Sequence, residues 1–154
     1  MRSVIRLAAV LAAAAALYRL VVLPYRGNLV LQAVVESSAI AQKTSPQIAV
    51  IMARSNVAEL ERIAAGRRLD PAWYMLYGAN CEMLERLPAA ENAYTGALRV
   101  DDRPELYVNR AMIRLHLGQT DAAIADFVYA ARFNPAVLQQ IDGELRARVD
   151  AAMP

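Results

Sequence analysis

The sequence predicts an all-α fold: a short solenoid of helical pairs preceded by a single N-terminal transmembrane helix. Three observations carry this expectation. Alanine occurs 31 times among 154 residues, against ten Phe, Tyr and Trp together, a composition that suits closely packed helices rather than a β-sandwich. The body repeats itself at a period of 33 residues. The chain also opens on an apolar stretch, residues 4–23, which as a helix would be about 30 Å long, one hydrocarbon core.

Composition and charge exclude several classes of function. One cysteine, Cys81, leaves no disulfide framework or Cys-based zinc cluster, and one histidine, His116, removes most metal sites and acid–base dyads. No Gly-rich phosphate loop, nucleophile elbow or paired-carboxylate signature is present. No catalytic, cofactor-binding or metal-ligating residues are therefore expected, nor a small-molecule substrate, and the chain is not expected to be an enzyme. Of 17 basic residues only Lys43 is a lysine. Arg2, Arg6, Arg19 and Arg26 give residues 1–26 a charge of +4 with no acid, while the remainder carries −2. No basic stripe runs along the body, so nucleic acid is not an expected partner.

The elements follow in order. Residues 1–26 form either an uncleaved membrane anchor or a signal segment. Arg6 and Arg19 lie near the ends of the apolar run, where they can snorkel, and Pro24 closes it. The competing reading takes Arg2 and Arg6 as an n-region and Ala14-Ala15-Ala16 as a cleavage site. Residues 27–45 hold an amphipathic helix, capped at Asn28, with Gln32, Glu36 and Lys43 as its polar stripe. Its wide apolar face, including Leu29, Val34, Val35 and Ile40, wants covering by the repeats, a partner or the membrane. Residues 46–70 suggest a degenerate helical pair, with Pro46 at N1 of its first helix and Ser55 or Asn56 capping the second.

Residues 71–135 hold two clear repeats. A 33-residue shift superposes Pro71 on Pro104, Tyr74 on Tyr107, Leu84 on Leu117, Ala89-Ala90 on Ala122-Ala123, Ala97 on Ala130 and Arg99 on Arg132. Like pairs join them: Gly78 with Ala111 and Tyr94 with Phe127. Each unit is two helices, started by prolines at first-turn positions, with Gly118 at a C-cap. Helices that cross closely need small residues at the crossing and a large one in the adjacent gap. Gly78/Ala111 and Ala90/Ala123 supply the first, and Tyr94/Phe127 the second. Residues 136–154 then form a C-terminal capping helix over about 137–149, with Leu138, Ile141 and Leu145 as its apolar side.

This pattern resembles the tetratricopeptide (TPR) repeat. The run from Gly118 to Phe127, continuing to Ala130 and Asn134-Pro135, looks like the family's second helix and closing proline, its small–aromatic–small–Pro signature falling on Ala123, Phe127, Ala130 and Pro135. The earlier unit carries it at Ala90, Tyr94 and Ala97, with Asp102 where the proline is expected, while Cys81 and Arg114 occupy the family's later Tyr position. The resemblance implies a concave face built from first helices. On it, Trp73, Met75, Met83, Asn109, Met112 and His116 are the candidate partner-binding residues. Core packing is the competing reading for Trp73 and the methionines, and a helix-end surface position for His116. The family's carboxylate clamp is not reproduced, since Met75 and Ala79 occupy two of its positions. Cys81 reads as a small buried hydrophobe, and Asp101, Asp102 and Glu105 as a turn and a helix N-terminus.

The expected function is protein–protein interaction. The leading reading is a membrane-anchored scaffold, assembly factor or accessory subunit of a membrane complex. It would be held by residues 4–23, single-pass in a bacterial inner membrane, with its C-terminal body outside the cytoplasm. The alternative is an exported adaptor or chaperone released after signal cleavage. Self-association through the groove is a further possibility.

Overall fold

The protein is described here by a computed structural model covering residues 14–18, 20, 23–64 and 69–153. Three antiparallel helical hairpins stack in chain order. They are α1 (Leu23–Ala41) with α2 (Pro46–Ala64), α3 (Pro71–Met83) with α4 (Leu87–Ala97), and α5 (Pro104–His116) with α6 (Thr120–Phe133). A 3₁₀ helix (Pro135–Gln140) and α7 (Gly143–Ala152) close the C-terminal end against α6. No strand occurs among the described residues.

The small–large code predicted for the repeats is the packing code observed. Ala90, Ala97, Ala111, Ala123, Ala130 and Phe127 are fully buried, and Tyr94 nearly so. The α3–α4 hairpin closes by reciprocal insertion: the ring of Tyr94 lies 3.0 Å from where a Cβ on Gly78 would stand, and that of Tyr74 lies 2.5 Å from one on Gly96. In the α5–α6 hairpin the position of Gly96 is taken by Tyr129, which stacks on Tyr107 with centroids 4.0 Å apart. The two inter-helix turns are also equivalent. Each makes a Schellman pair of bonds, Glu85 N to Glu82 O and Arg86 N to Cys81 O in the first, Gly118 N to Leu115 O and Gln119 N to Arg114 O in the second. The left-handed position is Gly118 at φ +74° in one and Glu85 at φ 55° in the other.

Two buried polar networks join the hairpins. Asn56 of α2 donates to Asn80 Oδ1 of α3 at 3.0 Å, and both amides donate to Ser38 Oγ of α1, at 3.3 and 3.2 Å. Further along, Asp126 of α6, its side chain 5% exposed, accepts from Arg110 at 2.7 and 2.9 Å and from Arg114 at 2.8 Å. Arg114 also reaches Glu91 of α4 at 2.9 Å, so three helices share the network.

Several expectations are corrected. The pair expected over residues 46–70 is one continuous helix as far as Ala64, because Asn56 does not cap a second helix but enters the Ser38–Asn80 network. Residues 65–68 lie outside the described residues. That continuous helix pairs instead with α1, which already includes residues 23–28 ahead of the expected cap at Asn28. The C-terminal cap is not one helix over 137–149: it breaks at Ile141–Asp142, where the Asp142 side chain accepts from Leu145 N at 2.8 Å and starts α7 afresh. The cap buries Val137, Leu138, Leu145 and Val149 against Ala111, Phe127 and Ala131.

The predicted membrane span falls largely on residues 1–13, 19 and 21–22, outside the described residues. Among the described residues, no helix is long and apolar enough to cross a membrane. The apolar face of α1 is covered only in part. Val30, Leu31 and Val34 pack with Leu60 and Trp73, whereas Leu29, Val35 and Ile40 are about half exposed.

Candidate functional site

The first helices of the three hairpins, α1, α3 and α5, share an inner face. Ser38 of α1 meets Asn80 of α3. At the other seam α3 approaches α5. Arg103, just before α5, donates to Met75 Sδ near the start of α3 at 3.3 Å, and His116 at the end of α5 lies close enough to Glu82 to act on its carboxyl. At 100° per residue, the buried residues of α3 (Trp73, Gly78, Asn80, Cys81) leave Ala72 and Ala79 at the centre of the open side, and both are exposed. Met75 and Glu82 flank that line towards α5, and Leu76 and Met83 flank it towards α1; all four are half-buried. On α5 the corresponding open side carries Glu105 and His116, exposed, with Asn109 and Met112 half-buried. This open side thus has small residues at its centre on α3 and flexible thioethers beside them.

Five of the six predicted groove residues therefore lie on this inner face: Met75, Met83, Asn109, Met112 and His116. Trp73 does not. It is 8% exposed, stacks on Tyr77 with centroids 4.8 Å apart, meets Tyr74 edge-on at 5.3 Å and donates its indole N–H to Leu60 O at 2.9 Å. It anchors α3 to α2, and no face of it is left for a partner. Met75 and Met112 combine both readings, each half-buried and packed against a core cluster while reaching the inner surface.

Sequence reasoning missed Glu82 and Arg103. Glu82 stands out by its electrostatics: burial pushes its carboxyl above the usual glutamate range, and His116 pulls it part of the way back. Cys81, fully buried, has its thiol pushed up by desolvation and so behaves as a hydrophobe. Among the described residues no group of three His, Cys, Asp or Glu is placed to hold a metal ion.

A separate cleft of about 390 Å³ opens between α6 and the end of α7, lined by Asp121, Ile124, Ala125, Val128, Tyr129, Arg132 and Ala152. None of the predicted groove residues lines it.

No family model matches the chain, and no curated protein matches it. Among solved structures it is similar to PcrH, in the crystal structure of PcrH in complex with the chaperone binding region of PopB. The TM-score is 0.50 at 20% identity, covering 78% of this chain and 94% of that one. The likeness is one of fold: the chain has a TPR-like helical fold.

Proposed function

We propose that this chain is a non-catalytic TPR-like adaptor or chaperone that holds an apolar segment of a partner protein along the inner face of α1, α3 and α5. The observation that carries the reading is the composition of that face: exposed Ala72 and Ala79 at its centre, half-buried Met75, Met83 and Met112 beside them. Small floor residues let a backbone approach, and methionines re-pack around side chains of different shapes. That PcrH, which has a similar fold, was solved holding a segment of PopB supports the same use of the fold. The membrane-anchored scaffold reading draws no support from the described residues, and segment binding does not require it.

The test is selection of a random displayed-peptide library on the purified protein, with Ala79→Arg as the blocked control. Ala79 is exposed, so its replacement leaves the core intact. Selected peptides should bind the parent and lose at least tenfold in affinity, about 1.4 kcal/mol, on the variant. Equal binding to both proteins would overturn the reading.

A further inference from the structure

The inner face carries a carboxylate with no partner of its own. Glu91, Asp101 and Asp126 each sit in an ion pair, and Glu61 accepts from the Tyr77 hydroxyl at 2.9 Å. Glu82, half-buried on the groove side of α3, has neither an ion pair nor a side-chain hydrogen bond among the described residues. It lies one turn from Gly78, on which the Tyr94 ring packs, and seven residues from Met75 on the same helix face.

The other charges on this face do not balance it. Arg103, at the far end of the seam, is engaged by Asp101 at 2.6 Å. Glu105, exposed at the start of α5, adds a second negative charge without an ion pair among the described residues. His116 opposes the charge of Glu82 from the end of α5 but makes no ion pair with it among the described residues. A half-buried carboxylate without an ion pair is costly until a donor or cation arrives. A lysine or arginine satisfies it while laying its methylene stem along the methionines.

We propose that Glu82 makes the groove selective for partner segments that carry a lysine or arginine within an apolar stretch. The inference rests on the groove reading above and adds to it the chemistry of the occupant. An acidic residue at the same place meets Glu82 and Glu105 and is rejected.

The test uses the full-length protein labelled at its methionine methyls, titrated with an acetylated, amidated Ala-Leu-Ile-Lys-Leu-Ala peptide and its Gln and Glu counterparts. The Lys peptide should shift the signals of Met75, Met83 and Met112 and spare Met52, which lies on the second helix α2. It should bind about five- to tenfold more tightly than the Gln peptide, with the Glu peptide weakest. Glu82→Gln should remove the preference for Lys, and Glu82→Lys should reverse it in favour of Glu; thermal melts of both variants confirm that they are folded. If the peptides shift the groove methyls with equal affinities, or Glu82→Gln leaves the preference intact, the charge selectivity is wrong and the groove reading stands. If no peptide moves those methyls, both fail together.

Discussion

Asp126 has the most demanding position of any single residue. Its carboxylate is 5% exposed and takes three charge-assisted hydrogen bonds from Arg110 and Arg114, whose side chains are 14% and 19% exposed. Removing it leaves the part-buried guanidinium of Arg110 without an ion pair and that of Arg114 with Glu91 alone. Asp126→Ala is therefore expected to cost about 3–5 kcal/mol in urea unfolding. Glu59→Ala, which breaks an exposed pair with Arg62, should cost under about 1 kcal/mol. Equal losses would mean that the buried network contributes no more than a surface pair. Glu82 offers a test with pH. Its native pKa is raised, so between the ordinary glutamate range and that raised value the folded state binds more protons than the unfolded one. Its contribution to stability then falls as pH rises through that window. Glu82→Gln should melt higher than the parent at pH 7, and the difference should shrink as the pH is lowered to 4; a constant difference would refute the assignment.

At the scale of elements, the two hairpin turns form a natural pair for comparison. They share the same Schellman bonds at equivalent positions, but one places Gly118 and the other Glu85 in the left-handed region. A side chain there is strained against its own carbonyl, whereas glycine is not. Gly118→Ala is expected to destabilise by about 1 kcal/mol, and Glu85→Gly to stabilise by up to about 1 kcal/mol, both by thermal melts. Since nothing lies within 4 Å of a Cβ added at Gly118, backbone conformation alone sets the first effect. Opposite signs support the equivalence of the turns; a stabilising Gly118→Ala would contradict it.

The whole molecule is a row of hairpins in which each contacts mainly its neighbours, so its stability is graded along the row. The 3₁₀ helix and α7 cover one end, burying Val137, Leu138, Leu145 and Val149. Deleting residues 135–154 uncovers the α5–α6 core. Hydrogen exchange should then accelerate by at least about tenfold in α5 and α6, with much less change in α2, 70 or more residues away in sequence. A uniform acceleration would show instead that the Asn56–Asn80 and Asp126 networks make the row a single cooperative unit. Each of those networks already ties together three helices, so they are the route by which such coupling would run.

Much of the fold was legible because its determinants are local or periodic. Gly78, Ala90, Ala111, Ala123 and Ala130 mark crossings where only small residues fit, and Tyr94 and Phe127 fill the gaps beside them. Pro46, Pro71 and Pro104 mark helix starts through a missing N–H that the first turn does not need. The side of the first helices on which Met75, Met83, Asn109, Met112 and His116 lie was legible for the same reason, since it follows from the repeat register alone. What escaped were residues whose partners come from another hairpin. Asn56 reads as a cap until Asn80, 24 positions later, claims its amide. Trp73 reads as a groove aromatic until Leu60 O takes its N–H and Tyr77 its ring face. Glu82 reads as one more surface charge, because a carboxylate's lack of a partner is visible only when everything packed around it is known. Periodicity, then, determined the helical pairs and which side of each faces inward. Tertiary packing alone decided which polar and aromatic groups are satisfied within the fold and which are not, since hydrogen bonds and desolvation depend on neighbours that the order of the chain does not reveal.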